Sequence, residues 1–235
     1  LAISQDPGCD EPGRGVFATV QTEDAFAVQR FSPAGEAMAN WGRGGAEPGE
    51  LCNPTGIAMD EAGRLYVLDC SLWASGRATV CNRVQVFTPD GDYLHGWGET
   101  GAEPGRLNLP VGIARAPDGS IVVADTYNAR IQRFTPEGKL LGYWGTWGDR
   151  PGRLNNPQGV ACRADGTILV ADTHNNRIQH FTRDGEMLAC NRSPAAGQPD
   201  FWLPCGVAAG EDGAVLVADT MNGRMVTFHI RSRTL

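Results

Sequence analysis

The sequence predicts an all-β fold, a β-propeller of four-stranded antiparallel blades. One observation is a fixed period: Pro110, Pro157 and Pro204 stand 47 residues apart, and Asp125, Asp172 and Asp219 keep the same step. Within each period, four short apolar runs rich in Val, Ile, Leu and Phe are separated by turn signals, which favours strands over helices. No helical stripe competes with them. A blade cannot bury both of its faces alone, so blades must stack around an axis.

The unit is clearest from Leu109 to Gly145. Pro110 and Gly112 lead into Ile113-Ala114, followed by a turn at Pro117-Asp118-Gly119 and the run Ile121 to Ala124. Asp125, Asn128 and Arg130 come next, then Ile131 to Phe134, a turn at Pro136-Glu137-Gly138, and Leu140 to Trp144. Repeats start near Leu1, Pro54, Pro110, Pro157 and Pro204, and together they make residues 1–235 one domain.

Taken in order, Leu1 to Val20 is the least regular part. Leu1-Ala2-Ile3 reads either as a worn inner strand or, with Ser4, as an outer strand closing the last blade. The frame recovers at Phe26 and ends its outer strand at Trp41-Gly42. Pro54 precedes Pro110 by 56 residues, and the nine extra residues fall between Asp69 and Arg83. Cys70 and Cys81 flank this insertion at the adjoining ends of two antiparallel strands, so a disulfide between them is expected. The third and fourth repeats are regular. The fifth runs from Pro204 through Phe228 without an outer strand of the G-x-L-L-x-x-W-G type, which leaves an edge to be covered by the N-terminal segment, by a partner or by residues missing from the sequence.

The stretches NPQGVACRADGTILVADTHNNRIQHF (Asn156 to Phe181) and LPVGIARAPDGSIVVADTYNARIQRF resemble NHL repeats, and the likeness extends from about Gly15 to Phe228. The resemblance implies a bacterial, exported type of propeller. Six-bladed rings are usual in that family, so five countable repeats leave the ring's closure open.

A net charge of −7 and a pI near 5.1 weigh against a nucleic-acid binder, which needs a basic footprint. No run reaches the roughly 20 apolar residues that span a bilayer. Seven cysteines without metal or haem spacing point to an oxidising compartment, periplasmic or extracellular, if Cys70 and Cys81 are bonded. Cys9, Cys52, Cys162, Cys190 and Cys205 receive no assignment. The sequence starts without methionine, so either a leader has been removed or the sequence is incomplete.

Strands alternate in direction, so the loop joining the second and third strands of a blade opens on the same end as the crossover to the next blade. That end collects Trp73, Arg77, Tyr127, Trp147, Arg150, His174, Phe201, Trp202 and Met221. Aromatic and arginine side chains are the types enriched at binding hot spots. The recurring Asp-Thr-x-Asn-x-Arg reads as structural, since Asp and Asn close turns on their own backbone. No nucleophile elbow or phosphate loop occurs. Sequence reasoning therefore favours a non-catalytic interaction or scaffold propeller, an accessory subunit that binds another protein, with no catalytic residue, metal ligand or cofactor. The alternative is a metal-dependent enzyme. Amidating lyases and sugar lactonases with similar propellers imply zinc or calcium at the axis, but the strands that open each repeat here carry no histidine.

Overall fold

The computed structural model describes residues 3–5, 15–21, 26–70, 81–210 and 212–230. They form only strands, turns and three short 3-10 segments, arranged as five antiparallel sheets with the strand order of propeller blades. Two compact units contain them, Leu1–Pro110 and Val111–Leu235.

The first unit holds two blades. One is β1 (Ile3–Gln5), β2 (Val16–Gln21), β3 (Phe26–Phe31) and β4 (Ala37–Trp41); the other is β5 (Pro54–Met59), β6 (Leu65–Asp69), β7 (Arg83–Phe87) and β8 (Tyr93–Trp97). β1 pairs with β2 through Ile3↔Ala18, so the worn N-terminal segment is the inner strand of the first blade. Phe17 and Val28 of that blade pack against Leu51, Ile57, Leu65, Val67 and Phe87 of the second. The Trp41 ring, 4.8 Å from the Phe87 centroid, extends the same layer outward.

The disulfide differs from the expectation. Cys81 is bonded to Cys52, with Cα atoms 6.4 Å apart, and Cys70 is a buried free thiol. Strand parity gives the reason. Asp69 pairs with Arg83 across β6 and β7, so Cys70 falls opposite Asn82 while Cys81 is one residue further along. Successive side chains point to opposite sides of a strand. Cys81 is thus turned toward the crossover that carries Cys52, and Cys70 accepts a hydrogen bond from the Asn53 side chain. Burial pushes the Cys70 thiol up to about 11.

The second unit holds three blades. They are β9 (Gly112–Arg115) to β12 (Leu140–Trp144), with β10 (Ile121–Asp125) and β11 (Arg130–Phe134) between; β13 (Pro157–Cys162), β14 (Ile168–Asp172), β15 (Arg177–Phe181) and β16 (Met187–Asn191); and β17 (Pro204–Ala209), β18 (Ala214–Asp219) and β19 (Arg224–His229). Among the described residues the last has three strands.

β10 and β14 are buried along their whole length. The side chains of β14 alternate between two interblade layers. Ile168 and Val170 meet Val122, Ala124 and Ile131 of the preceding blade, whereas Leu169 and Ala171 meet Phe201, Val215, Val217 and Phe228 of the following one. Each fully buried aliphatic side chain contributes about 1.5–3 kcal/mol, so these two layers hold the three blades together. The glycine that follows the repeat-opening proline has a steric cause at Gly112 and Gly159. A Cβ at Gly159 would stand 2.6 Å from the Cys205 carbonyl oxygen, because the inner strands approach backbone to backbone.

Candidate functional site

At the end of β14, the chain leaves the strand at Asp172 and makes a single 3-10 turn, Thr173–Asn175. It then passes through Asn176 in the left-handed region, at φ 54°, before entering β15. Asn tolerates this conformation better than most residues, and Gly223 takes the same place in the next blade. The local sequence Asp-Thr-x-Asn-x-Arg thereby brings one carboxylate, one amide and one guanidinium together.

Asp172 is the hub. Its Oδ1 accepts the Asn155 N–H at 2.7 Å, and its Oδ2 accepts Asn175 Nδ2 at 2.9 Å, Arg177 Nε at 2.6 Å and Gln179 Nε2 at 3.0 Å. Arg177 then reaches past it. Its terminal nitrogens donate to the carbonyls of Asp149, Arg150 and Arg153 at 2.6, 2.9 and 2.8 Å. These carbonyls belong to the crossover from β12 to β13. The repeated carboxylate therefore pins a long loop, and its acceptor positions are occupied by the chain's own donors. Asp69 has four such donors, from Cys52, Asn53, Arg83 and Gln85. Asp219 has three, from Trp202, Asn222 and Arg224. The role is structural, but the route differs from the one expected: Asp172 does not close the turn on its own backbone and instead gathers the Asn175, Arg177 and Gln179 side chains and the Asn155 N–H of the crossover.

The environment tunes these carboxyls differently. Burial is the largest influence on Asp69 and raises it above the usual carboxylate range, with the hydrogen bonds from Asn53, Cys52 and Arg83 opposing incompletely. At Asp219 burial is again the largest single influence and acts upward. There the donors Trp202 N–H, Asn222 and Arg224 together outweigh it and lower the carboxyl.

The pinned loops carry the exposed side chains. Trp147, 72 % exposed, and the exposed Arg150 lie on the crossover held by Arg177. The turn bearing exposed His174 is tied to the same crossover, by His174 N–H to the Asn155 carbonyl and by Asn175 Nδ2 to the Gly148 carbonyl. One group thus forms from Trp147, Arg150 and His174. A second forms where the Met221 N–H donates to the Trp202 carbonyl at 3.1 Å, both side chains being exposed. Tyr127 is exposed on the corresponding turn of the blade that precedes that of His174. Phe201 departs from its expected place at this surface: it is 2 % exposed, packed 5.8 Å from the Phe228 ring and among Val215 and Val217, because the crossover folds inward there to cap the core layer. Trp73 and Arg77 lie outside the described residues.

Among the described residues, one trio of His, Cys, Asp or Glu side chains converges closely enough to hold a metal, Cys52, Asp69 and Cys81. Its two sulfurs are joined to each other and its carboxylate carries the four donors above. This trio works as a clamp between the crossover before β5 and the start of β7. Cys52 had no signal in spacing; only the side toward which Cys81 points identifies it.

Two stretches, residues 107–134 and 154–181, match the model of the NHL repeat. The protein lin-41 of Caenorhabditis elegans is 39 % identical over 57 residues, 24 % of this chain and 4 % of that protein, so the chain spans a small part of that curated relative. Virginiamycin B lyase from Staphylococcus aureus superposes with a TM-score of 0.59 at 16 % identity, over 95 % of this chain and 69 % of that one. A gluconolactonase from Xanthomonas campestris gives 0.64 at 16 %, over 88 % and 66 %. Hydrazine synthase of Kuenenia stuttgartiensis gives 0.60 at 12 %, over 98 % and 83 %. At these identities the likeness is one of fold.

Proposed function

The chain carries NHL repeats in a β-propeller fold, and from that premise we propose that it is a non-catalytic interaction subunit of an exported assembly. It binds another protein through the loop end of its second unit. The observation that carries this reading is Trp147, a large apolar side chain held in water by a crossover whose backbone Arg177 fixes through three carbonyls. A rigid exposed aromatic loses little conformational freedom on contact, which is why Trp, Tyr and Arg dominate binding energies. Arg150, His174, Trp202, Met221 and Tyr127 supply the surrounding contacts. The repeated carboxylates support a structural rather than catalytic use of the motif, since their acceptor positions are occupied from within the chain. The Cys52–Cys81 bond fits folding in an oxidising compartment.

Native mass spectrometry of the tagged protein recovered from its source, without reductant, tests the reading. The assembly should shrink to the free chain when Trp147 and Trp202 are both replaced by alanine, with thermal stability within about 1 kcal/mol of the parent. An assembly that survives both substitutions would refute this surface as the contact. Stoichiometric zinc or calcium in the same preparation would instead favour a lyase-like or lactonase-like enzyme.

A further inference from the structure

The crossovers before β5, β9 and β13 share one backbone conformation. Each is bridged in the same way, through Gly44↔Leu51, Thr100↔Leu107 and Trp147↔Leu154. Each closes the same inner turn, the Glu50 N–H donating to the Glu47 carbonyl, Arg106 to Glu103 and Arg153 to Arg150. Arg83 holds the carbonyls of Ala46, Glu47 and Glu50 just as Arg177 holds those of Asp149, Arg150 and Arg153. Side chains at matching positions can therefore be compared one for one.

The third crossover departs from the other two at exposed positions. Trp147 stands where they have Gly44 and Thr100, and Arg150 where they have Glu47 and Glu103. All six residues face solvent. The loop closes equally well with glycine or threonine at the first place and glutamate at the second, so its folding requires neither the indole nor the guanidinium.

The charge reverses with them. Arg43 pairs with Glu50 inside the first crossover, and Arg106 with Glu99 inside the second at 3.0 Å. Thr146 takes the place of Arg43 and Glu99, which removes that carboxylate from Arg153, and Arg153 Nη1 donates to the Trp147 carbonyl at 3.3 Å. Arg43 against Glu47 and Glu50 sums to −1, and Arg106 against Glu99 and Glu103 to −1, whereas Arg150 and Arg153 against Asp149 give +1. Arg192 adds a further positive charge beside this group, its Nη1 donating at 3.4 Å to the Asn175 carbonyl, on the turn that carries His174. On a chain of net charge −7, one exposed tryptophan is thus surrounded by arginines.

We propose that this spot receives an acidic segment of a partner polypeptide, its carboxylates on Arg150 and Arg153 and an apolar side chain against the Trp147 indole. Guanidinium and carboxylate match as paired donors and acceptors, and an indole face offers a large apolar contact. Complementary charge at such a rim sets partner choice and speeds encounter. The inference rests on the loop end being the contact surface, as read above, and adds the chemistry of what it meets.

The probe is an acidic peptide, aspartates and glutamates around one central phenylalanine, titrated to millimolar concentration into isotope-labelled protein and followed by NMR. Saturable shifts are expected at the Trp147 indole and at the Arg150 and His174 amides, weakening as salt is raised. A peptide with lysine at each acidic place should leave these signals where they are. Arg150→Glu installs the residue that the other two crossovers carry, so the melting temperature should hold while the acidic peptide binds about tenfold more weakly. No shift at these three residues, binding indifferent to salt, or equal binding to Arg150→Glu would overturn the proposal. So would a single-stranded oligonucleotide that displaces the peptide at lower concentration, which would assign the spot to nucleic acid. In the native assembly, dissociation on loss of Trp147 and Trp202 together with indifference to Arg150→Glu would refute the acidic partner and leave the loop end as the contact, whereas survival of all these substitutions would refute the loop end itself.

Discussion

Arg177 offers the sharpest test of the claim that the repeated Asp-Thr-x-Asn-x-Arg is a structural clamp. Its side chain is 1 % exposed, against 28 % for Arg224 at the same place in the next blade. Arg177→Ala removes an ion pair with a fully buried carboxylate and three bonds to crossover carbonyls. Some acceptors keep other donors: Asp172 retains Asn155, Asn175 and Gln179, Arg150 O retains the Arg153 N–H, and Arg153 O retains Gln179. The buried charge left behind dominates, and the expected loss is about 3–5 kcal/mol. Arg224→Ala loses an ion pair whose guanidinium is partly open to solvent and one exposed bond to Pro199 O, and Asp219 keeps Trp202 and Asn222 as donors, so it should cost about 1–2 kcal/mol after screening. Arg177→Lys keeps the charge but not the planar fork, so it should recover only part of the loss. Urea unfolding followed by tryptophan fluorescence, with amide exchange in β13 to β15, reads each value. Equal losses at the two positions, or less than about 1 kcal/mol at Arg177, would refute the clamp.

Three further outcomes follow from the same contacts. Cys52→Ser should lower stability by about 3–4 kcal/mol, because the bond closes a loop with a sequence separation of 29, while Cys70→Ala should leave the non-reduced mass two hydrogens below the fully reduced value; peptide mapping that links Cys70 to Cys81 would overturn the assignment. Gly159→Ala should cost about 1–3 kcal/mol by pressing a methyl against the Cys205 carbonyl, whereas Gly119→Ala, with open space around it, should lose only what its left-handed φ of 84° demands; equal melting temperatures for the pair would contradict the close approach of β13 and β17. Asp219 has its carboxyl lowered in the folded state, so the stability it contributes is present above its ordinary value of 3.8 and is lost as pH falls through the folded value; Asp219→Asn should flatten that part of the unfolding profile, and an unchanged profile would refute the sign.

The class of fold and the blade limits were legible in the chain of residues before any coordinate. The period of 47, the β-branched runs and the turn residues are local, and each acts within a few residues of itself. Such runs need no tertiary information to be read as strand, and Ile121 to Asp125 and Ile168 to Asp172 fall where the pattern puts them. The structural reading of Asp172 and Arg177 was legible too, because a motif repeated in successive blades is tied to the blade. The remainder was settled by the assembled blades. Whether Cys81 meets Cys70 or Cys52 depends on a one-residue parity across β6 and β7, which composition does not encode. Trp202 is exposed while its neighbour Phe201 is sealed into the core, a choice made by how the crossover folds over Val215 and Val217. Met225 is 63 % exposed although Ile131 and Ile178, at the same place in the repeat, are fully buried. The reason is common to all three cases: a sequence pattern sets which way a backbone runs, but burial and pairing depend on what the neighbouring chain places opposite.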